Sequence, residues 1–245
     1  MRPPVRAVLA DLDDTLFDHS HATRAALGVL SSEEPAFDGW SLDDLAARHR
    51  DALELMHQEV LAGRMSIEAA RVERFRMLLA ARPQAGAASV EVAPAALARR
   101  YREAYEAAWR PVPGAAPLVE ALRRAGVLLV IVTNNVTSEQ RLKLDRCGLS
   151  PYVDALVTSE DVGATKPDVQ IFAAGLQAAG AAAGDAVMIG DSWATDVDGA
   201  LGAGLRAVWL NRTGSRAPRD AARVTEIRSL EPLAETWRRI IGPAE

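Results

Sequence analysis

Lysine, cysteine and aromatic residues are all scarce in this chain of 245 residues. Cys147 is the only cysteine, so no disulfide can form within the chain, and its place late in a helical pattern predicts packing. Aromatic residues make up 5% of the sequence, no basic tract occurs and the net charge is −5, which argues against nucleic acid polymers and anionic membranes as partners. No apolar run approaches the roughly 18 residues of a membrane span, and residues 1–4 lead into a strand rather than a signal-peptide core. We therefore expect a soluble, cytoplasmic protein.

Only two of the 28 basic residues are lysines, Lys143 and Lys166, and all the others are arginines. An ammonium group is a compact point charge, whereas a guanidinium is a planar fork, so the two do not substitute for each other in a confined site. This usage indicates that Lys166 has a specific role. Lys143 lies on what the pattern predicts to be an exposed helix face, and no role is expected for it.

Short apolar runs alternate with helical patterns over much of the chain. The run from Val127 to Val132 is apolar on both faces, as in a central strand covered on both sides. Pro167 fits the first position of a helix, and Thr137 with Gln140 fits a capping box. This alternation predicts an α/β fold with a doubly wound, Rossmann-like parallel sheet. The predicted strands are 5–10, 127–132, 155–157, 186–189 and 207–210, and the predicted helices 114–125, 138–147, 168–179 and 196–203.

Residues 18–108 interrupt this alternation. Helical periodicity covers residues 41–61, 66–81 and 94–109, without a strong strand among them. A block of this length is too long for a simple connection between the first two strands. We therefore predict an inserted α-helical domain over 18–108 and an α/β core domain made of 1–17 and 109–245.

Four polar signals follow predicted strands. Loops at the carboxyl ends of parallel strands share one crevice, so these signals should meet. The acids at two strand ends would then face each other and form a carboxylate pocket that suits Mg2+. The signals are Asp11-Leu12-Asp13-Asp14-Thr15, Thr133-Asn134-Asn135, Lys166-Pro167, and Gly190-Asp191-Ser192 with Asp196.

The same residues suit a phosphate group bound beside a metal ion. Asp11 can attack phosphorus and form an aspartyl phosphate, while Lys166 neutralises phosphoryl charge. Asp13 can protonate the leaving oxygen and then activate water. The Thr133 hydroxyl and the Asn134 amide can donate hydrogen bonds to phosphate oxygens.

In the order and content of these four motifs the chain resembles the haloacid dehalogenase-like hydrolase superfamily. The resemblance also includes Pro113-Gly114, Val162-Gly163 and Asp198-Gly199-Ala200, and it covers roughly two thirds of the chain. It implies that Asp11 is the nucleophile and that Asp13 is the general acid and base. It implies Thr133 and Lys166 as phosphate stabilisers. Mg2+ would be held by Asp11, the backbone carbonyl of Asp13 and Asp191, with Asp196 supporting the site.

One position separates the chemistries of the family that the chain resembles. Its phosphatases carry Asp two residues after the nucleophile, and its dehalogenases lack that acid and the Mg2+ site. Asp13 stands at this position, so the resemblance implies a phosphatase, acting on a small phosphorylated metabolite such as a nucleotide or sugar phosphate. The insert resembles the family's small helical cap, which would act as a lid.

Of three alternatives to a phosphatase, a receiver domain and a silent binding protein are disfavoured by the sequence, and a phosphomutase stays open. A receiver domain also gathers acids, Thr and Lys at strand ends, but its Lys follows the other signals, whereas Lys166 precedes Asp191. A phosphomutase of the same superfamily would pass the phosphate to a sugar instead of to water. A catalytically silent binding protein is disfavoured because the charged residues that the reaction needs are intact, namely Asp11, Asp13, Lys166 and Asp191. The sequence leaves the leaving group and the oligomeric state open.

Overall fold

The computed structural model describes residues 5–81, 92–218 and 224–242. Within these residues six strands form one sheet in the order β3-β2-β1-β4-β5-β6, and every neighbouring pair is parallel. The predicted α/β fold with a parallel sheet is therefore confirmed. The strands are β1 (Ala7–Ala10), β2 (Leu128–Thr133), β3 (Ala155–Thr158), β4 (Ala186–Gly190), β5 (Arg206–Leu210) and β6 (Thr225–Ile227).

The ten α-helices of the described residues lie in two groups along the chain. Four of them fall in the segment predicted to be an inserted helical domain, and six follow it. They are α1 (His19–Glu33), α2 (Leu42–Leu61), α3 (Ile67–Ala80), α4 (Pro94–Ala107), α5 (Ala115–Arg124), α6 (Thr137–Arg146), α7 (Ser159–Val162), α8 (Val169–Ala179), α9 (Asp198–Gly202) and α10 (Leu233–Ile240).

The chain divides into two compact units. The core unit comprises Met1–Asp18 and Arg110–Glu245, and the helical unit comprises His19–Trp109. The assignment of residues 18–108 as a cap domain in the functional sense stays a prediction.

The strands β1 and β4 are buried along their whole length, which explains their continuous apolar runs. Leu9, Val130 and Met188 are fully buried and belong to the core beside the sheet, together with Phe172 of α8. Strand β1 lies between β2 and β4, so the residues that follow these three strands emerge side by side. This arrangement places the polar motifs together at the carboxyl ends of the strands.

The helical unit is held together by apolar contacts among α1–α4. Helices α2 and α3 begin where Ser41 and Ser66 accept hydrogen bonds from main-chain N–H groups of their first turns, at 3.1 Å in each case. In its core the ring of Tyr101 lies 5.4 Å from that of Phe75 and 4.8 Å from that of His49. The described residues of the insert contain helices and no β-strand, as their periodicity predicts.

Two local predictions are wrong. Pro167 is not the first residue of a helix, because α8 begins at Val169 with Asp168 as the N-cap, whose side chain accepts a hydrogen bond from the N–H of Gln170. The proposed capping box is absent because Val136 is the N-cap of α6 and the Gln140 side chain bonds elsewhere.

Several elements were not predicted. Helix α1 contains Gly28 and many small polar residues, and β6 is only three residues long, so neither gives a strong periodic signal. The predicted helix 196–203 is split, because a π-helical turn spans Trp193–Val197 and α9 follows it. Helix α10 lies beyond the last predicted strand.

Candidate active site

Asp11 directly follows β1, the strand in the interior of the sheet. Its main-chain N–H donates to the carbonyl of Ile189 over 2.9 Å, so the pairing with β4 extends to this residue. The side chain is buried, and Oδ2 accepts a hydrogen bond from the Thr15 hydroxyl at 3.2 Å. Burial raises the pKa of Asp11 to about 7, against the opposing effect of the Lys166 ammonium group. The structure places this carboxylate at the carboxyl ends of the parallel strands, where ligands bind in such folds.

Lys166 lies between two carboxylates. Its Nζ is 2.6 Å from Oδ1 of Asp11 and 2.7 Å from Oδ1 of Asp196. Burial alone would lower the pKa of Lys166, but the two carboxylates raise it above its ordinary value. The residue is therefore a fixed, buried cation beside Asp11, as its rarity in this chain indicated.

Asn134 holds the main chain of Lys166. Its Oδ1 accepts from the Lys166 N–H over 2.7 Å, and its Nδ2 donates to the Lys166 carbonyl over 3.0 Å. This pair of bonds ties the loop after β2 to the segment that carries the lysine. The structure thus gives Asn134 a positioning role, and its direct contact with phosphate stays a prediction.

Asp191 and Asp196, both after β4, complete a cluster with Asp11. One carboxylate oxygen from each of the three residues lies within 4.8 Å of the others. Burial raises the pKa of Asp191 to about 8, and repulsion from Asp11 and Asp196 adds to this. The indole N–H of Trp209 donates to the Asp191 carbonyl at 2.8 Å and fixes its main chain. Three acids held this closely form a group that could bind a metal ion.

The path of the chain around Asp196 requires glycine at the end of β4. Oδ2 of Asp196 accepts from the N–H of Ser192 at 3.0 Å, inside the π-helical turn that follows the strand. A Cβ atom on Gly190 would lie only 2.2 Å from that oxygen. The absence of a side chain at Gly190 therefore lets Asp196 reach both Ser192 and Lys166.

A second cluster surrounds Asp13. Gln140 of α6 donates from one Nε2 to Oδ2 of Asp13 over 3.0 Å and to the Thr133 hydroxyl oxygen over 2.7 Å. Thr133 ends β2 and is buried. The two residues predicted to act as the acid and as a phosphate ligand are thus joined by one amide group.

Lys143 corrects a prediction, because it is not on an exposed face. It is buried, its Nζ lies 2.5 Å from Oδ1 of Asp13, and it sits 5.0 Å from the centre of the Phe17 ring. Gln140 and Lys143 are three positions apart on α6 and so share a face. That spacing, together with the rarity of lysine, was the signal in the sequence that could have identified both residues.

Asp14 of the first motif and Asp18, three residues after the motif, shape the loop. Asp14 has a φ of 61°, a left-handed conformation that Asp tolerates, and its N–H donates to the Phe17 carbonyl at 2.7 Å. Asp18 is buried and pairs with Arg110 and Arg212, at 2.8 Å in each case. Burial would raise the pKa of Asp18, but the two guanidinium groups lower it below its usual value. Asp14 and Asp18 therefore serve the geometry of the loop.

The geometry of the site agrees with a comparison of the whole sequence. The sequence model of the haloacid dehalogenase-like hydrolases matches residues 5–204, which include all four motifs. The chain belongs to the haloacid dehalogenase-like hydrolase family. This match confirms the predicted family. The prediction of a hydrolase related to phosphatases is confirmed as well.

Curated relatives of this hydrolase are phosphatases. The chain is 34% identical to ribulose-1,5-bisphosphate 5-phosphatase from Halopiger xanaduensis over 82% of this chain and 83% of that protein. It is 35% identical to pyrimidine 5'-nucleotidase YjjG from Escherichia coli over 60% of this chain. The match spans 65% of the nucleotidase, slightly less than two thirds of its length.

Solved structures that are similar to this chain include one named as a hydrolase and one named as a dehalogenase. The HAD-hydrolase YfnB from Bacillus subtilis, bound to magnesium, is 28% identical with a TM-score of 0.73, covering 96% of this chain and 99% of that one. A 2-haloacid dehalogenase from Pseudomonas syringae is also 28% identical, with a TM-score of 0.60 and the same coverage. Among the described residues of this hydrolase, no helix is long and apolar enough to cross a membrane.

Proposed function

We propose that this hydrolase is a Mg2+-dependent phosphatase that acts on a small phosphorylated metabolite through an aspartyl phosphate on Asp11. The observation that carries the proposal is the cluster of Asp11, Asp191 and Asp196, in which Asp11 and Asp196 are buried and Asp191 is half-buried, with the Lys166 ammonium group 2.6 Å from Asp11. Asp13, two residues on, supplies a second carboxyl group for proton transfer. A cytoplasmic location goes with this proposal and stays a prediction.

The residues of the cluster fit Mg2+ by their chemistry. Mg2+ takes oxygen ligands and is commonly bound by one or two carboxylates together with waters and a phosphate. Burial and mutual repulsion raise the pKa values of Asp11 and Asp191 to about 7 and about 8, so a nearby cation would offset an unfavourable concentration of negative charge. Asp11, Asp191 and the Asp13 carbonyl would hold the ion, and Asp196 would support them. When bound, the ion would polarise a phosphoryl oxygen and offset the charge that builds up there.

In the first step a carboxylate oxygen of Asp11 attacks phosphorus, and the bond from phosphorus to the ester oxygen breaks. Lys166 and the Thr133 hydroxyl stabilise the phosphoryl oxygens, while Asp13 gives its proton to the leaving oxygen. In the second step water attacks phosphorus, Asp13 takes a proton from that water, and Asp11 leaves as a free carboxylate. The products are an alcohol and inorganic phosphate.

The substrate class is supported by the names of the relatives, which include a pyrimidine 5'-nucleotidase and a ribulose-1,5-bisphosphate 5-phosphatase. A dehalogenase reaction is less well supported, because Asp13 carries a carboxyl group suited to protonating a leaving alcohol and a halide needs no proton. A phosphomutase would use the same first step and transfer the phosphate to a sugar.

The test is phosphate release from a panel of nucleotide and sugar phosphates, with Mg2+ and with a chelator. We expect turnover with Mg2+, none with the chelator, and a loss of roughly 10³-fold or more for Asp11→Asn, because that variant lacks the nucleophile. Arg141→Met, which removes a charge from an exposed position of α6, is the control for folding. Metal-independent turnover, or full activity of Asp11→Asn, would overturn the proposal. Single turnover followed by transfer to sugar would favour a mutase.

A further inference from the structure

The second lysine of the chain makes an ion pair that the proposed reaction does not yet use. Lys143 Nζ lies 2.5 Å from Oδ1 of Asp13, and the lysine side chain is only 3% exposed. We propose that Lys143 is a positioning residue, which fixes the Asp13 carboxyl group for proton transfer to and from the leaving oxygen and water. This inference rests on the proposed phosphatase function.

Both carboxylate oxygens of Asp13 have defined partners on one helix. Lys143 contacts Oδ1, and Gln140 donates to Oδ2 at 3.0 Å. Lys143 and Gln140 prevent rotation of the carboxyl group but occupy only one lone-pair position on each oxygen. The second position of an oxygen can hold the proton that passes to the leaving oxygen or is taken from water, provided that this oxygen lies within hydrogen-bond reach of the reacting atom. Gln140 also bonds the Thr133 hydroxyl, so the orientation of Asp13 is tied to that of a predicted phosphate ligand.

The choice of lysine agrees with this role. The chain has 26 arginines (28 basic residues less two lysines), so its other cations are arginines. Lys143 is buried and lies against the face of Phe17, with Nζ 5.0 Å from the ring centre. A compact ammonium group can approach one carboxylate oxygen there while the amide of Gln140 occupies the other.

The effect of Lys143 should depend on how much the leaving group needs a proton. Phenol is a poor leaving group without protonation, whereas dinitrophenol leaves readily as an anion. General acid catalysis is worth about 10² to 10⁴ in rate where it is needed, so loss of the positioning residue should affect phenyl phosphate much more than dinitrophenyl phosphate. The quantity to measure is kcat/KM, which covers only the steps up to transfer of the phosphate to the enzyme.

The experiment compares Lys143→Met with the wild type on both esters in the presence of Mg2+. We expect kcat/KM for phenyl phosphate to fall by about 10- to 100-fold and that for dinitrophenyl phosphate by less than about 5-fold. The KM for phenyl phosphate should change little. Lys143→Arg should restore part of the loss, Asp13→Asn should show the same selectivity to a larger degree, and Arg141→Met should match the wild type.

Each failure has a separate meaning. An equal loss on both esters in Lys143→Met, with Asp13→Asn remaining selective, would overturn the positioning role and leave the phosphatase proposal intact. Absence of phosphate release by the wild type from either ester, and from the metabolite panel, would instead remove the proposed function. If Lys143→Met does not fold, Lys143→Gln keeps a hydrogen-bond donor without the charge, and the same ratio decides.

Discussion

A buried histidine lies in the core of the helical unit. His49 is fully buried, and neither ring nitrogen has a partner among the described residues. Its ring lies against Tyr101 and Phe75. Burial lowers the pKa of His49 well below its usual value, and the positive charges of Arg74 and His19 add to this.

This pKa has a definite consequence for stability. The folded chain keeps His49 neutral, whereas the unfolded chain takes up a proton below about pH 6.5, so stability is lost as the pH falls from that value. We expect His49→Leu and His49→Gln, which cannot titrate, to lose less stability than the wild type between about pH 7.5 and about pH 5, by about 2 kcal/mol. Urea unfolding at the two pH values measures this. Parallel pH dependence in all three proteins would contradict it.

One buried acid, Asp18, joins three segments of the core unit. Asp18 follows the first motif, Arg110 precedes α5, and Arg212 follows β5. Both Asp18 oxygens are bonded, with Oδ2 accepting two bonds from Arg110 and Oδ1 accepting one from Arg212. Hydrogen bonds to a buried charge contribute more to stability than exposed ion pairs do.

We therefore expect Asp18→Asn to lower the free energy of unfolding by about 2–3 kcal/mol. The matched control is Asp43→Asn, whose partner Arg24 is at 2.7 Å but whose side chain is 82% exposed, and which should cost less than about 1 kcal/mol. Chemical denaturation of both variants gives the comparison. Equal losses in the two variants would show that burial of Asp18 has no special effect.

The elements that sequence reasoning recovered are those with a strong signal of their own. The strands that carry Asp11, Thr133 and Asp191 are continuous apolar runs, and parallel strands bring their carboxyl ends together. The prediction of an exposed Lys143 is wrong because α6 buries polar residues, Gln140 and Lys143, beside the site, and hydrophobic periodicity cannot detect a buried polar face. The partners of Asp13 depended on tertiary contacts that no local pattern contains.

Both lysines of the chain lie in the candidate site. Their side chains are 3% and 2% exposed, and each pairs with a carboxylate of the first motif. Each ammonium group is thus held close to a carboxylate, at 2.5 Å for Lys143 and 2.6 Å for Lys166. Amine chemistry on the lysine side chains therefore reports on the site.

We expect amine acetylation of the folded protein to leave Lys143 and Lys166 unmodified, and acetylation in urea to modify both. Buried amines react only when the structure opens locally, so the native rate measures that opening. Peptide mass spectrometry after each reaction gives the extent at each lysine. Rapid modification of Lys143 in the folded protein would contradict its burial and its pairing with Asp13.

The two ends of the core unit's interruption are adjacent. Phe17 and Pro111 form an antiparallel bridge, and the main-chain N–H of Val112 donates to the Leu16 carbonyl at 2.8 Å. A long insertion whose first and last residues lie next to each other does not change the order in which the chain connects the strands of the sheet. Residues 19–109 are therefore inserted at a single point of the core unit. A segment attached in this way can be exchanged for another without any change in the strand order of the core.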